Sequence, residues 1–155
     1  MLKPKRKRII AKNTQLIRKL KGKRALPKRS ELSRTLERFC KSKGRKIRVI
    51  FVCPAGLYTS AAVWGEFNEF TEKNNLGKFF DVKASGIFDY ALKPNENLEK
   101  ADVLVSVNPY VTSTLEDIAK KFKSKPRILS HYYSSRSSVD IGLLQEIASS
   151  LERKH

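Results

Sequence analysis

A chain of 155 residues, 40% of them apolar, is long enough for one ordinary domain with an appendage, and it holds no run of about 18 apolar residues that would span a membrane. The formal charge of +18 points to an anionic partner. Two cysteines, Cys40 and Cys53, cannot build a disulfide framework and fit a reducing compartment, the cytoplasm; the N-terminus has charge but lacks the apolar segment of a secretory signal.

The charge is concentrated at one end. Residues 1–46 hold 19 Lys and Arg against two acids, Glu31 and Glu37, a balance of +17, whereas residues 47–155 hold 14 against 13, a balance of +1. The chain therefore divides at Lys43-Gly44-Arg45-Lys46 into a basic arm, 1–45, and a domain, 46–155. In the arm, Lys3, Lys5, Arg6, Lys7 and Arg8 form a charge run that cannot bury itself and is expected to be mobile. Leu16, Ile17 and Leu20 make a thin apolar stripe on a short helix that also carries Arg18, Lys19, Lys21, Lys23 and Arg24. After Pro27, Ser30 is placed to cap a second helix, whose Leu32, Leu36 and Phe39 share one face and are expected to pack on the domain. These cations suit nucleic-acid phosphates, read without base specificity, and the arm has few aromatics for stacking on bases. A solubilising tail is the plainer reading. An organelle transit peptide ranks last, because the arm is poor in serine and richer in lysine than in arginine.

Val49-Ile50-Phe51-Val52 reads as a buried strand, ended by Cys53. A short loop follows with Pro54 and Gly56, then Thr59-Ser60 and a segment with helical spacing through Phe70. Loop amides and a helix N-terminus would converge on one spot, where both favour an anion and a thiolate on Cys53. Cys53 to Ser60 resembles the phosphate loop of the low-molecular-weight tyrosine phosphatases, C-x5-R-S. It also resembles the active loop of the IIB components of the sugar phosphotransferase system, roughly C-x-x-G-x-x-[ST]-S, met here at Cys53, Gly56, Thr59 and Ser60. The two families share a fold, and the resemblance covers about 46–153. It implies Cys53 as nucleophile and Ala55, Gly56, Leu57, Tyr58, Thr59 and Ser60 as the cradle for a phosphate or a phosphorylated substrate. Trp64, on this first helix, is expected to pack against the arm or the sheet.

Asn74-Asn75-Leu76-Gly77 stops the helix, and Phe79 to Ala84 alternates as a second strand. Ala84-Ser85-Gly86 resembles the S-A-G segment that ends the second strand of the phosphatases. Residues 87–100 are shorter than the helix-bearing connection of that family. Ala101 to Val107 is a third strand, ended by Asn108-Pro109; Val111, Leu115, Ile118, Ala119 and Phe122 mark a helix that Lys125-Pro126 breaks. Arg127 to Ser130 is a fourth strand, and the run from Ala101 to Ser130 resembles IIB chains of the cellobiose type. Ile141, Leu144, Ile147, Ala148 and Leu151 mark a closing helix with Asp140 as its N-cap.

Strands alternating with helices over short links predict an α/β fold: three layers, with a four-stranded parallel sheet flanked by helices and a basic helical arm in front. The order 2-1-3-4 is what the resemblance implies, and it puts the Cys53 loop at the carboxyl ends of the strands. His131 and His155 are the only histidines, no metal-ligand spacing occurs, and no metal or other cofactor is expected. A cysteine phosphatase also needs a guanidinium on the phosphoryl oxygens and an acid for the leaving oxygen. The arginine position holds Thr59, and the D-P pair that supplies the acid is missing from 131–140. Two functions follow: phosphoryl handling on Cys53 without the full phosphatase set, as phosphocysteine transfer or weak phosphatase, or a degenerate phosphatase-like binding protein attached to RNA or a ribonucleoprotein by its arm. Cys53 as a small buried hydrophobe and Thr59-Ser60 as a plain helix cap are the bland counterparts. His131 and Arg136 are weighed as replacement charges for the loop, against simple exposure.

Overall fold

The computed structural model describes residues 29–54, 59–87, 96–132 and 139–153. The elements in chain order are α1 (Arg29–Lys43), β1 (Ile47–Cys53), α2 (Thr59–Lys73), a 3-10 turn (Gly77–Phe79) and β2 (Phe80–Gly86). A short α3 (Glu96–Glu99), β3 (Val103–Ser106), α4 (Pro109–Ala119), β4 (Arg127–Ser130) and α5 (Ile141–Glu152) follow. The four strands are parallel and ordered β2-β1-β3-β4. The sequence expectation of a four-stranded parallel α/β sheet in the order 2-1-3-4 therefore holds.

β1 is central and buried on both faces, because successive side chains alternate between two cores. Val49, Phe51 and Cys53 face a core shared with α1, α2 and α5; Ile50 and Val52 face a second one built with Leu98, Val111 and Leu115. The first core is partly aromatic: Phe67 packs edge-on to Phe51 at 5.3 Å and to Phe80 at 5.2 Å between ring centroids. Such pairs add about 0.5–1.5 kcal/mol each beyond their buried area.

α1 belongs to this fold, with Leu32 and Leu36 buried in the first core and Phe39 packed against it. It begins at Arg29, so Ser30 lies inside the first turn and not at the cap expected of it. It ends where Gly44 takes φ +67° and donates to the Cys40 carbonyl at 2.8 Å, a left-handed stop that glycine makes without Cβ strain. α2 stops in the related Schellman arrangement: Asn75 has φ 57°, Leu76 N–H donates to Thr71 O at 2.8 Å and Asn75 N–H to Glu72 O at 3.1 Å.

Three further details depart from expectation. Trp64 is 39% exposed and lies off the buried stripe of α2, and residues 1–28 of the arm it was also expected to meet lie outside the described residues. Ser60, Val63, Phe67 and Thr71 form the buried stripe of α2, and Trp64 lies about 100° around the helix from Val63. α4 ends at Ala119, ahead of Lys125-Pro126, as its last turns tighten into bonds from Lys121 N to Ile118 O and Phe122 N to Ala119 O. Phe122 is buried all the same. β3 is shorter than the apolar run that announced it, spanning Val103–Ser106.

Asp102 ties the sheet together at the amino ends of its strands. Its carboxylate accepts from Arg45 Nη1 at 2.6 Å and Nη2 at 3.0 Å, and from Arg48 N–H at 2.8 Å. Its own backbone N–H donates to Arg48 O and its carbonyl accepts from Arg127 N–H, both at 2.9 Å. The link between α1 and β1 is thus clamped onto β3 and β4.

Candidate functional site

Because all four strands are parallel, their carboxyl ends share one edge of the sheet. Cys53 closes β1 there, between Gly86 at the end of β2 and Val107 beyond β3, whose N–H donates to Val52 O at 3.1 Å. The Cys53 side chain is 3% exposed and faces the α2 side of the sheet. α2 begins at Thr59, and its second residue, the fully buried Ser60, sets Oγ 3.1 Å from Cys53 Sγ. A thiol and a hydroxyl seven residues beyond it thus meet at a strand end and a helix N-terminus, where helix amides carry partial positive charge.

Of the residues expected to cradle an anion, Ala55, Gly56, Leu57 and Tyr58 lie outside the described residues. Thr59 and Ser60 open α2; Ser60 is directed at the thiol and Thr59 is partly exposed. The arm cations Lys3, Lys5, Arg6, Lys7, Arg8, Arg18, Lys19, Lys21, Lys23 and Arg24 also lie outside the described residues, as do Tyr133 and Arg136. His131 follows β4, and its backbone N–H donates to Ser106 O at 2.9 Å. Asp140, the aspartate ahead of the last helix, caps α5 by accepting from Leu143 N–H at 3.2 Å. Glu66 Oε2, from α2, reaches the Val139 N–H at 3.4 Å.

Sequence reasoning missed a hydroxyl chain at the same edge, on the opposite face of the sheet. Buried Ser106 bonds the Asn108 carbonyl and Thr112 Oγ1, each at 2.9 Å, and Thr112 meets the Tyr132 hydroxyl at 3.2 Å. Hydrogen bonds from Thr112 and then Ser130 lower the pKa of the Tyr132 phenol. Asn108 holds the start of α4, its Oδ1 accepting from Tyr110 N–H at 2.9 Å. The one signal for this chain was a serine ending an otherwise apolar strand, and periodicity could not show that Thr112 and Tyr132 would reach it.

Cys40, the other thiol, packs against the first core, with Sγ 3.5 Å from the Phe79 carbonyl. Burial pushes its pKa up, ahead of the smaller opposing effect of a backbone hydrogen bond. Neither cysteine is in a disulfide. Among the described residues no three His, Cys, Asp or Glu side chains gather as metal ligands, and no helix is long and apolar enough to cross a membrane.

No protein-family model matches the chain, and no curated protein matches it in sequence. In structure it is similar to the crystal structure of YfkJ from Bacillus subtilis, with a TM-score of 0.45 and 16% identity over 71% of this chain and 92% of that one.

Proposed function

We propose that the domain handles phosphoryl groups on Cys53 and lacks the complete apparatus of a cysteine phosphatase. The observation that supports this most directly is the meeting of Cys53 Sγ with Ser60 Oγ at the first turn of α2. In the proposed step, Cys53 as thiolate attacks phosphorus: an S–P bond forms, the P–O bond to the donor breaks, and the donor oxygen leaves with its electron pair. Ser60 donates its hydroxyl to the thiolate and the amides at the start of α2 face the phosphoryl oxygens.

Two groups limit the reaction. Thr59 stands at the arginine position and carries no charge, and losing such an electrostatic donor costs about 10²- to 10³-fold in rate. Asp140 is engaged as the cap of α5, and Thr59 and Asp140 together leave phosphocysteine transfer or weak phosphatase as the activity.

The test compares the two thiols in one chain. Iodoacetamide at neutral pH should label Cys53 faster than Cys40, and inorganic phosphate or sulfate should protect Cys53. Thr59→Arg should raise aryl phosphatase activity, in part only, because it restores the clamp without the acid. An unreactive Cys53 that anions do not protect, with no gain in Thr59→Arg, would sink the proposal.

The second reading is a binding protein that keeps this domain as a degenerate scaffold and attaches to nucleic acid through its arm. It rests on the +17 balance of residues 1–46 beside +1 for 47–155.

A further inference from the structure

Residues 47–155 are near neutral in sum, yet together with Lys46 they gather lysines at one edge of the sheet. In a parallel sheet the residues just ahead of every strand come to one edge. The observed pairs are Ile47 with Phe80, Val49 with Val103 and Val103 with Arg127. Extending this register back puts Lys46 opposite Lys100 and Phe79, and Lys100 opposite Ser124, so that Lys78, Lys46, Lys100 and then Lys123 and Lys125 come within one residue of a common level, in the order of the strands. All five are exposed. At about 4.8 Å per strand the row is about 15 Å wide, and exposed Lys121 lies in the turn between α4 and β4. The edge is braced: Ser124 Oγ donates to Glu99 O at 2.6 Å, Lys125 Nζ to Lys120 O at 3.0 Å, and Arg127 donates to the Arg153 carbonyl at the end of α5. Of the acids at this edge, Asp102 is neutralised by Arg45, Glu72 stands beside Lys46 and Lys78, Asp81 beside Arg48 and Lys100, and Glu99 directly precedes Lys100.

We propose that this amino edge of the sheet is a docking surface for the phosphate backbone of a nucleic acid. It is opposite the Cys53 edge and independent of the arm, since none of its residues lies in 1–45. A row of this width can meet several successive phosphates of one strand. Nucleic acid fits better than an anionic membrane, because surface binding to lipid needs apolar or aromatic groups beside the cations. Among the described residues the large exposed apolar side chains are Trp64, Tyr110 and Tyr132, and all three belong to the other half of the molecule: the second turn of α2, the start of α4 and the end of β4. Among the described residues no exposed aromatic side chain stands beside the lysines, and this surface reads charge and not sequence.

The experiment uses the full chain and a fluorescent single-stranded RNA of about 20 nucleotides, with affinity measured across salt concentrations. Two triple variants are made, K121A/K123A/K125A and K46A/K78A/K100A, with the matching Lys→Arg triples as charge-preserving partners and K5A/R6A/K7A/R8A in the arm for comparison. Each alanine triple should flatten the slope of log K against log salt by about 2, at about 0.7 for each phosphate no longer neutralised, and the arginine triples should keep it. Slopes unchanged in both alanine triples overturn the docking surface, whatever the arm variant does. Binding abolished equally in the arginine triples also overturns it, because charge would then not be the cause. Stronger binding to phosphatidylserine vesicles than to RNA, abolished in the same alanine triples, replaces nucleic acid with membrane as the occupant. A flattened slope in the arm variant alone supports the arm reading and not this one.

Discussion

At the residue scale, Asp102 is the side chain with most resting on it. Its side chain is 10% exposed and its Arg45 partner 31%, so the pair is sheltered but not sealed. Removing the carboxylate leaves the Arg48 N–H without its acceptor and the Arg45 guanidinium with only the Lys46 carbonyl, and a hydrogen bond to a charged group is worth about 1.5–3 kcal/mol. Asp102→Ala is expected to lower stability by about 2–3 kcal/mol, seen as a lower urea midpoint at unchanged slope. Asp102→Asn, which keeps an acceptor, should cost less. Equal midpoints for wild type and Asp102→Ala would mean that the clamp contributes nothing. Cys40 gives a prediction with a sign. Burial raises its folded pKa above the ordinary 9.0, so the native state holds a proton that the unfolded chain releases. Its contribution to stability is complete below pH 9.0 and declines as pH rises through the raised folded value. Cys40→Ala should therefore flatten the alkaline fall in melting temperature, and an identical fall in both proteins would contradict this. At Cys53, Ser60→Ala should slow alkylation if Ser60 donates to the thiolate. Unchanged rates would reduce the 3.1 Å approach to packing.

At the element scale, α1 is part of the first core. Leu36 is fully buried in the first core, and deleting its side chain should cost about 2–4 kcal/mol through the transfer energy forgone and the cavity left behind. An appendage helix would tolerate Leu36→Ala with no movement of the denaturation midpoint. The Leu32, Leu36 and Phe39 stripe announced this packing, and the strands were as legible: four buried apolar residues for β1, and Arg127 to Ser130 residue for residue for β4. Such elements are written in local periodicity, which one face or two faces of burial impose directly on the sequence. Boundaries set by turn geometry were less legible. α4 stops at Ala119 because its hydrogen bonds tighten there, and neither proline nor glycine marks the place. At the candidate site, the thiol and the helix after it were visible in the order of residues, but the bond from Ser60 to Cys53 depends on the rotation of α2 against β1. The Ser106, Thr112 and Tyr132 chain joins three elements through tertiary packing alone, and no local pattern encodes it.

At the scale of the whole molecule, direction of travel matters more than composition. α1 and α5 run side by side in the same sense: Leu32 lies by Ala148 in one groove between them, and Phe39 and Ser42 by Leu151 and Arg153 in the next. The end of α5 meets Arg127 at the start of β4, so both helices run antiparallel to the strands. The first turn of α1 therefore lies toward the Cys53 edge, and the 28 residues ahead of it join the fold there. Fully extended, they would span up to about 90–100 Å, several times the diameter of such a domain, so either edge is within their reach. A polyanion held by the arm should release counterions in proportion to the phosphates neutralised, at about 0.7–0.9 each. Replacing Lys5, Arg6, Lys7 and Arg8 with alanine is expected to flatten the salt dependence by up to about 3 units, equally for RNAs of unrelated sequence, because phosphates carry no base identity. Anisotropy titrations at several salt concentrations measure this. An affinity that ignores salt, or that follows sequence while ignoring these four cations, would exclude phosphate neutralisation as the role of the arm.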